Sequence, residues 1–250
     1  MKYYSEKILP VIRSYKPNNV ISRWRRRKYS STIIFQSHTP ISGDVKVIDY
    51  GSERQLVING DTHSLSFTNG KWNEVRRECW GQFYRTPFAL VRHPKVLLLG
   101  LGGGTVLHLL HQDLHPSSMV ALERDPEILE IAKSFFSLAN VPGLEIILGD
   151  ASVTLKQLQT NNNKFDLIID DIFYQMASDT INRIREHVEI LFSLLHTGGS
   201  VVFNHPIDKP TEINHTRHFV HTLEDMDCVV SVKSIRQRWW NDIIFCRRKN

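Results

Sequence analysis

The run VLLLGLGGGTVLHLL (96–110) places Gly100, Gly102, Gly103 and Gly104 inside an otherwise apolar stretch, and acids follow at Glu123, Asp150 and the pair Asp170-Asp171. Glycine in such a run costs backbone entropy and is kept where something must approach the main chain closely. Glu123 lies 23 positions beyond Gly100. In a strand–turn–helix–strand unit that spacing brings a carboxylate to a ribose diol, because one carboxylate accepts two hydrogen bonds at once. Gly149-Asp150-Ala151 adds a third feature of the same kind, although Asp150 could equally cap a helix. Together they predict an adenosine-type ligand. The dinucleotide pattern G-x-G-x-x-G fails at Thr105, and no phosphate-loop Lys-Ser/Thr follows, so a nucleoside suits the turn better than a nucleotide.

These residues need elements to position them. From Lys95 onward the chain alternates apolar strands (96–99, 119–122, 144–148, 165–169, 200–203) with helical patterns (104–115, 126–139, 151–160, 178–196). Near-continuous apolar strands separated by helices predict a parallel sheet covered on both faces. The fold class is therefore α/β, a doubly wound, mostly parallel, Rossmann-like sheet. Upstream, DVKVIDYGSERQLVINGDTHSLSFTNG alternates in short runs broken by Gly-Ser and Asn-Gly, the pattern of a β-meander. Helical periodicity is expected through WNEVRRECWGQFYRTPFALV, and two last strands around a turn at Asn241-Asp242. The organisation expected is a basic N-terminal extension (1–42), a small β unit (43–70) and a ligand-binding α/β domain (71–250).

The chain has 250 residues, a formal charge of +5 and 41% hydrophobic residues, enough for a sizeable core. No apolar run reaches the length of a membrane span and the start lacks a signal-peptide pattern, so no membrane and a cytoplasmic location are expected. Cys79, Cys228 and Cys246 are scattered and odd in number, without disulfide or metal spacing. Twelve histidines show no metal-ligand motif, and no metal is expected. The cluster Arg23-Trp24-Arg25-Arg26-Arg27-Lys28 could meet phosphate backbones but reads first as a solvated arm; nucleic acid is not the expected partner. A homodimer is left open.

Residues 44 to 204 resemble the spermidine synthase-like family of class I S-adenosylmethionine-dependent transferases. VLLLGLGGGTVL is similar to that family's first glycine motif, VALERDPEILEIAKSFF to its second strand and helix, LEIILGDA to its adenine-site segment, and FDLIIDDIF to its fourth strand. The resemblance implies S-adenosylmethionine or its decarboxylated form as cofactor. It implies Gly100, Gly102, Gly103, Gly104, Glu123, Asp150, Ala151 and Asp171 as cofactor-binding residues. Asp171 and Tyr174 take the catalytic positions, with Tyr174 standing where the family's second acid would be. His63, Trp72 and Glu74 take substrate positions. Other departures point away from polyamines. Gly103 replaces an acid that suits the cationic arm of the decarboxylated cofactor, and Thr68-Asn69 replace an acidic pair.

Transfer from a sulfonium is an in-line displacement, so positioning dominates, and a base is needed only for a nucleophile that arrives protonated. Asp171 is the candidate base or amine holder. Asp170 should point to the opposite sheet face, as an N-cap or in a surface pair. His205-Pro206 follows the fifth strand at the same edge. Methyl transfer to a small-molecule acceptor is the favoured activity, with aminopropyl transfer next. A non-catalytic nucleoside binder and an NAD-linked dehydrogenase are the readings from other classes, and Thr105 argues against the last.

Overall fold

The computed structural model describes residues 30–172, 181–207 and 212–249. Two sheets form. The first is an antiparallel meander of β1 (Ser31–Thr39), β2 (Gly43–Tyr50), β3 (Glu53–Ile58) and β4 (Asp61–Phe67). The second contains β5 (Lys95–Leu99), β6 (Ser118–Glu123), β7 (Leu144–Leu148), β8 (Phe165–Asp170), β9 (Leu195–Pro206), β10 (Cys228–Arg236) and β11 (Trp240–Arg248), in the order β10-β11-β9-β8-β5-β6-β7. Strands β5 to β9 pair in parallel, whereas β11 runs antiparallel to both of its neighbours. The chain steps outward from β5 to β7 and returns to β8, so the order reverses between β5 and β8. At such a switch point a crevice opens beyond the strands' carboxyl ends.

The central strands are apolar throughout because both faces are covered. Leu98, Ile169 and Val202 join one core cluster with Leu107, Leu109 and Leu110 of α2 (Thr105–Leu114). Leu97, Leu99, Ile168 and Phe203 join the other, with Leu155 of α4 (Ala151–Thr160) and Val188 of α5 (Ile181–Ser193). The two-residue strand period thus puts Asp170, in step with Ile168, on the second face, and Asp171, in step with Ile169, on the first.

The meander docks by its apolar face. Val45, Val47 and Leu56 pack on Ile128 and Ile131 of α3 (Pro126–Phe135) and on Phe136. Thr39 donates to Asp125 at 2.5 Å, and the other oxygen of that buried carboxylate caps α3 through the Glu127 N–H. Leu65 of β4 exchanges two 3.0 Å hydrogen bonds with the Thr105 hydroxyl at the start of α2. The first sheet is therefore fastened over the glycine turn.

Three expectations change. Ser31–Thr39, assigned from sequence to the basic extension, is a strand; its register shifts between Ile33 and Phe35, which breaks the alternation that would have marked it. The helix expected across residues 72–91 is only one turn, α1 (Trp72–Val75), and a 3-10 turn, Cys79–Gln82. There the chain folds back so tightly that a Cβ on Gly81 would lie 2.2 Å from the Arg76 carbonyl oxygen. Asn241 and Asp242 sit inside β11 rather than in a turn. Both side chains are buried and find partners in neighbouring strands, Asn204 for the first and Ser234 and Arg236 for the second. The remaining helix, α6 (Glu212–Asp225), covers the second face. No helix among the described residues is long and apolar enough to cross a membrane.

Candidate functional site

The glycine turn is pressed from several directions by the protein itself. Gly100 has φ +87°, and a Cβ there would lie 2.8 Å from the Asp171 carbonyl oxygen. At Gly102 (φ +51°) it would lie 2.8 Å from the Ser64 hydroxyl, and at Gly104 (φ +79°) 2.7 Å from the Leu138 side chain. Gly103 donates its N–H to Ser64 Oγ at 2.7 Å, and its Cβ would meet Ser64 Cβ at 2.9 Å and the Phe136 ring at 3.0 Å. The meander and the β8 terminus thus account for much of the bareness.

Glu123 ends β6 beside this turn. Its carboxylate accepts from Leu101 N–H at 3.2 Å, Arg124 N–H at 2.8 Å and Asp125 N–H at 2.9 Å. Burial raises its pKa against the pull of those donors. The Glu123 carbonyl takes the Gly149 N–H at 2.8 Å, which sets Asp150 and Ala151 next to it. Asp150 is exposed and caps α4, accepting from Ser152 N–H at 2.8 Å and Ser152 hydroxyl at 2.6 Å; those bonds hold its carboxyl below the usual range.

Asp171 continues the β8 ladder, its N–H donating to Leu99 carbonyl at 3.0 Å. Its side chain accepts from Asn204 Nδ2 at 2.7 Å. Burial pushes the carboxyl up to about 7, Asn204 opposes this, and the charge of Asp170 adds to it. The buried Cys79 thiol lies within its field. A carboxyl balanced near neutrality in a crevice can accept or hold a proton.

The structure therefore brings together Gly100–Gly104, Glu123, Asp150, Ala151 and Asp171 at one sheet edge. Tyr174 lies outside the described residues. His63 puts its carbonyl beside Gly102, and burial lowers the pKa of its half-buried ring. Trp72, in α1, packs its ring 4.9 Å from that of His108, which lies one turn down α2 from the glycines, and Glu74 shares the helical turn of Trp72. On the opposite face, Asp170 is neither an N-cap nor a surface group. It is 5% exposed and accepts from His187 Nε2 at 2.6 Å. His205 stacks on Phe219 at 4.8 Å, and burial lowers its pKa to about 4.

Sequence reasoning passed over Ser64, Asn204 and Asn241. The only available signal for the asparagines was a polar residue in the inward row of an apolar strand, VVFNHP in one case and WNDIIF in the other.

Comparison with known proteins gives the family and the fold. The Methyltransferase domain family model matches residues 91–243. An eEF1A lysine and N-terminal methyltransferase homolog of Drosophila melanogaster is 31% identical over 88 residues, 33% of this chain and 13% of that protein. A polyamine aminopropyltransferase of Vibrio vulnificus is 29% identical over 157 residues, 58% of this chain and 52% of that protein. The chain thus spans from about an eighth to about half of the length of these relatives. Among solved structures, a probable spermidine synthase from Corynebacterium glutamicum superposes with TM-score 0.65 at 17% identity, covering 86% of this chain and 80% of that one. Human Methyltransferase-like protein 13, in complex with SAH, gives TM-score 0.53 at 18% identity, covering 71% and 79%.

Proposed function

This chain belongs to the methyltransferase domain family, and from that premise we propose that it moves a methyl group from S-adenosylmethionine to the nitrogen of an amine acceptor. The residues present fit the cofactor. Glu123 stands at the diol position, where the glycine turn meets the end of β6, and Asp150-Ala151 adjoin it at the adenine position through the Gly149 N–H on the Glu123 carbonyl. When bound, the cofactor supplies an electrophilic methyl on a sulfonium whose leaving group is a neutral thioether. The chain's own part is to place the amine in line and take its proton. As the N–C bond forms and the C–S bond breaks, the nitrogen's proton passes to the Asp171 carboxylate. His63 and Glu74, near the glycine turn and α2, are assigned to the acceptor side, with Trp72 as an apolar wall.

The observation that carries this reading is Asp171: half-buried, fixed by Asn204, touching the glycine turn through its backbone, and balanced near neutral pH. The printed activities of the relatives, lysine and N-terminal methylation and aminopropyl transfer to polyamines, also concern amines. Methyl transfer is preferred because position 103 has no room for the acid that the polyamine synthases carry there.

The test is product analysis. The purified chain is incubated with each cofactor form and with small amines, lysine peptides and free-N-terminus peptides. S-adenosylhomocysteine and a methylated amine are expected. Methylthioadenosine formed from the decarboxylated cofactor would establish aminopropyl transfer instead. Tight cofactor binding without either product would leave only a nucleoside binder.

A further inference from the structure

Asp171 does not stand alone at the strand ends. Asn204 Nδ2 donates to its carboxylate at 2.7 Å, and Asn241 Nδ2 donates to Asn204 Oδ1 at 2.8 Å. All three side chains lie on the α2 face: Asp171 directly follows β8, Asn204 is on β9, and Asn241 on β11 sits diagonally to it, since Asn204 pairs with Ile243 and Asn241 with Pro206. The row ends abruptly. Asn241 is 4% exposed, and its Oδ1 is buried with no hydrogen-bond partner among the described residues.

Each bond in this row dictates the next. A carboxylate can only accept, so Asn204 must turn its NH2 toward Asp171. That leaves the Asn204 carbonyl facing Asn241, which must turn its own NH2 inward, and the Asn241 carbonyl is then left over. A buried unsatisfied carbonyl is costly, and its presence calls for a reason. With Asn204 alone the amide oxygen left over would be its own; Asn241 moves the orphan one strand further from Asp171 and holds Asn204 from both ends. We propose that Asn204 and Asn241 are positioning residues, a polarised amide relay that holds Asp171 as a proton acceptor for the incoming amine. This rests on the reading of Asp171 given above. The orphaned oxygen of Asn241 is the cost of fixing the direction of the relay.

Few groups act on Asp171. The charge of the adjacent Asp170, which points to the other face, and the neutral amide of Asn204 on β9 act in opposite senses, while the titratable thiol of Cys79 comes from the 3-10 turn. The glycine turn contributes only backbone. Of these, Asn204 alone is a donor to the carboxylate, so the relay is what favours the charged form.

The experiment follows the Asp171 carboxyl of the full chain by 13C NMR, with aspartate labelling and D171N to assign the resonance. Removal of the donor in N204L should raise the midpoint by about one pH unit, since a hydrogen bond to a charged group has about that effect. N241L should raise it by less. In the N204L background, N241L should move nothing further, because Asn241 acts only through Asn204; two independent packing roles would add. Should N204L fail to fold, the N241L titration alone decides, and an unmoved midpoint overturns the relay. Turnover gives the second readout. With the midpoint raised from about 7 to about 8, the rate at pH 7 should fall about fivefold and recover by pH 9, whereas a merely structural defect would lower it at every pH. An intact relay in the NMR titration with no methyl transfer to any amine would refute the proposed function and leave the relay standing. An unmoved midpoint in folded N204L would refute the relay whatever the activity.

Discussion

Replacing Gly103 separates packing from electrostatics at the glycine turn. An alanine Cβ would sit 2.9 Å from Ser64 Cβ and 3.0 Å from the Phe136 ring, about 0.6–1 Å inside an ordinary carbon–carbon contact. Neither neighbour yields easily. Ser64 is buried in β4, whose next residue is bonded to Thr105, and Phe136 is buried against the meander. G103A should therefore cost about 1–3 kcal/mol, the usual range for overpacking. In a chain of this size that lowers the melting temperature by about 2–12 °C. G103D adds a carboxylate in the same confined space and should cost more, because the charge must be desolvated or neutralised. The assay is thermal unfolding of wild type, G103A and G103D, followed by calorimetric titration with both cofactor forms. If G103A melted within a degree of wild type, the packing argument would be wrong. If G103D stayed folded and gained affinity for the decarboxylated form, position 103 would face the cofactor arm, and the preference for methyl transfer would lose its physical basis.

Two further outcomes concern the carboxylates flanking the β8 terminus. The folded-state pKa of Asp171 is raised to about 7, so its ionisation opposes folding increasingly from about pH 4 to about pH 7. D171N should then melt higher than wild type at pH 8 and together with it near pH 4, while losing at least about a hundredfold in turnover; equal melting curves at pH 8 would contradict the burial assigned to Asp171. For His187, burial lowers the pKa but the charge and hydrogen bond of Asp170 outweigh it, leaving a net rise. The pair therefore adds stability fully below the unfolded histidine's pKa and loses it as pH climbs through the folded value. H187A, by leaving Asp170 buried and unpaired, should cost about 3 kcal/mol in denaturant unfolding at pH 6 and less at pH 9; a cost independent of pH would show that the ring acts through packing alone.

Much of the α/β domain could be read directly. The bounds of β7 and α4, and the placement of Glu123 and Asp150 at successive strand ends, come from local pattern: apolar runs of strand length, capping acids and a glycine break. The regions that misled are those where tertiary contact overrides the local signal. Residues 72–91 carry a helical rhythm, but Gly81 lies against the Arg76 backbone and Cys79, Trp80 and Phe83 are drawn into the core. Asn241-Asp242 looks like a turn, yet the buried hydrogen bonds to Asn204, Ser234 and Arg236 hold it in a strand.

The sequence alone determined that a bare turn and spaced acids would meet at one sheet edge, because strand and helix periods fix where each element ends. It also led to the expectation that Asp170 and Asp171 face apart, on the strand period and provided the strand runs through Asp170. Only the tertiary structure decided what presses on the glycines, which is Ser64, Phe136, Leu138 and the Asp171 backbone. It alone linked Asp171 to Asn204 and Asn241, which are 33 and then a further 37 residues away in sequence. Contacts of that separation depend on strand order and register, and those emerge only when the whole sheet is assembled.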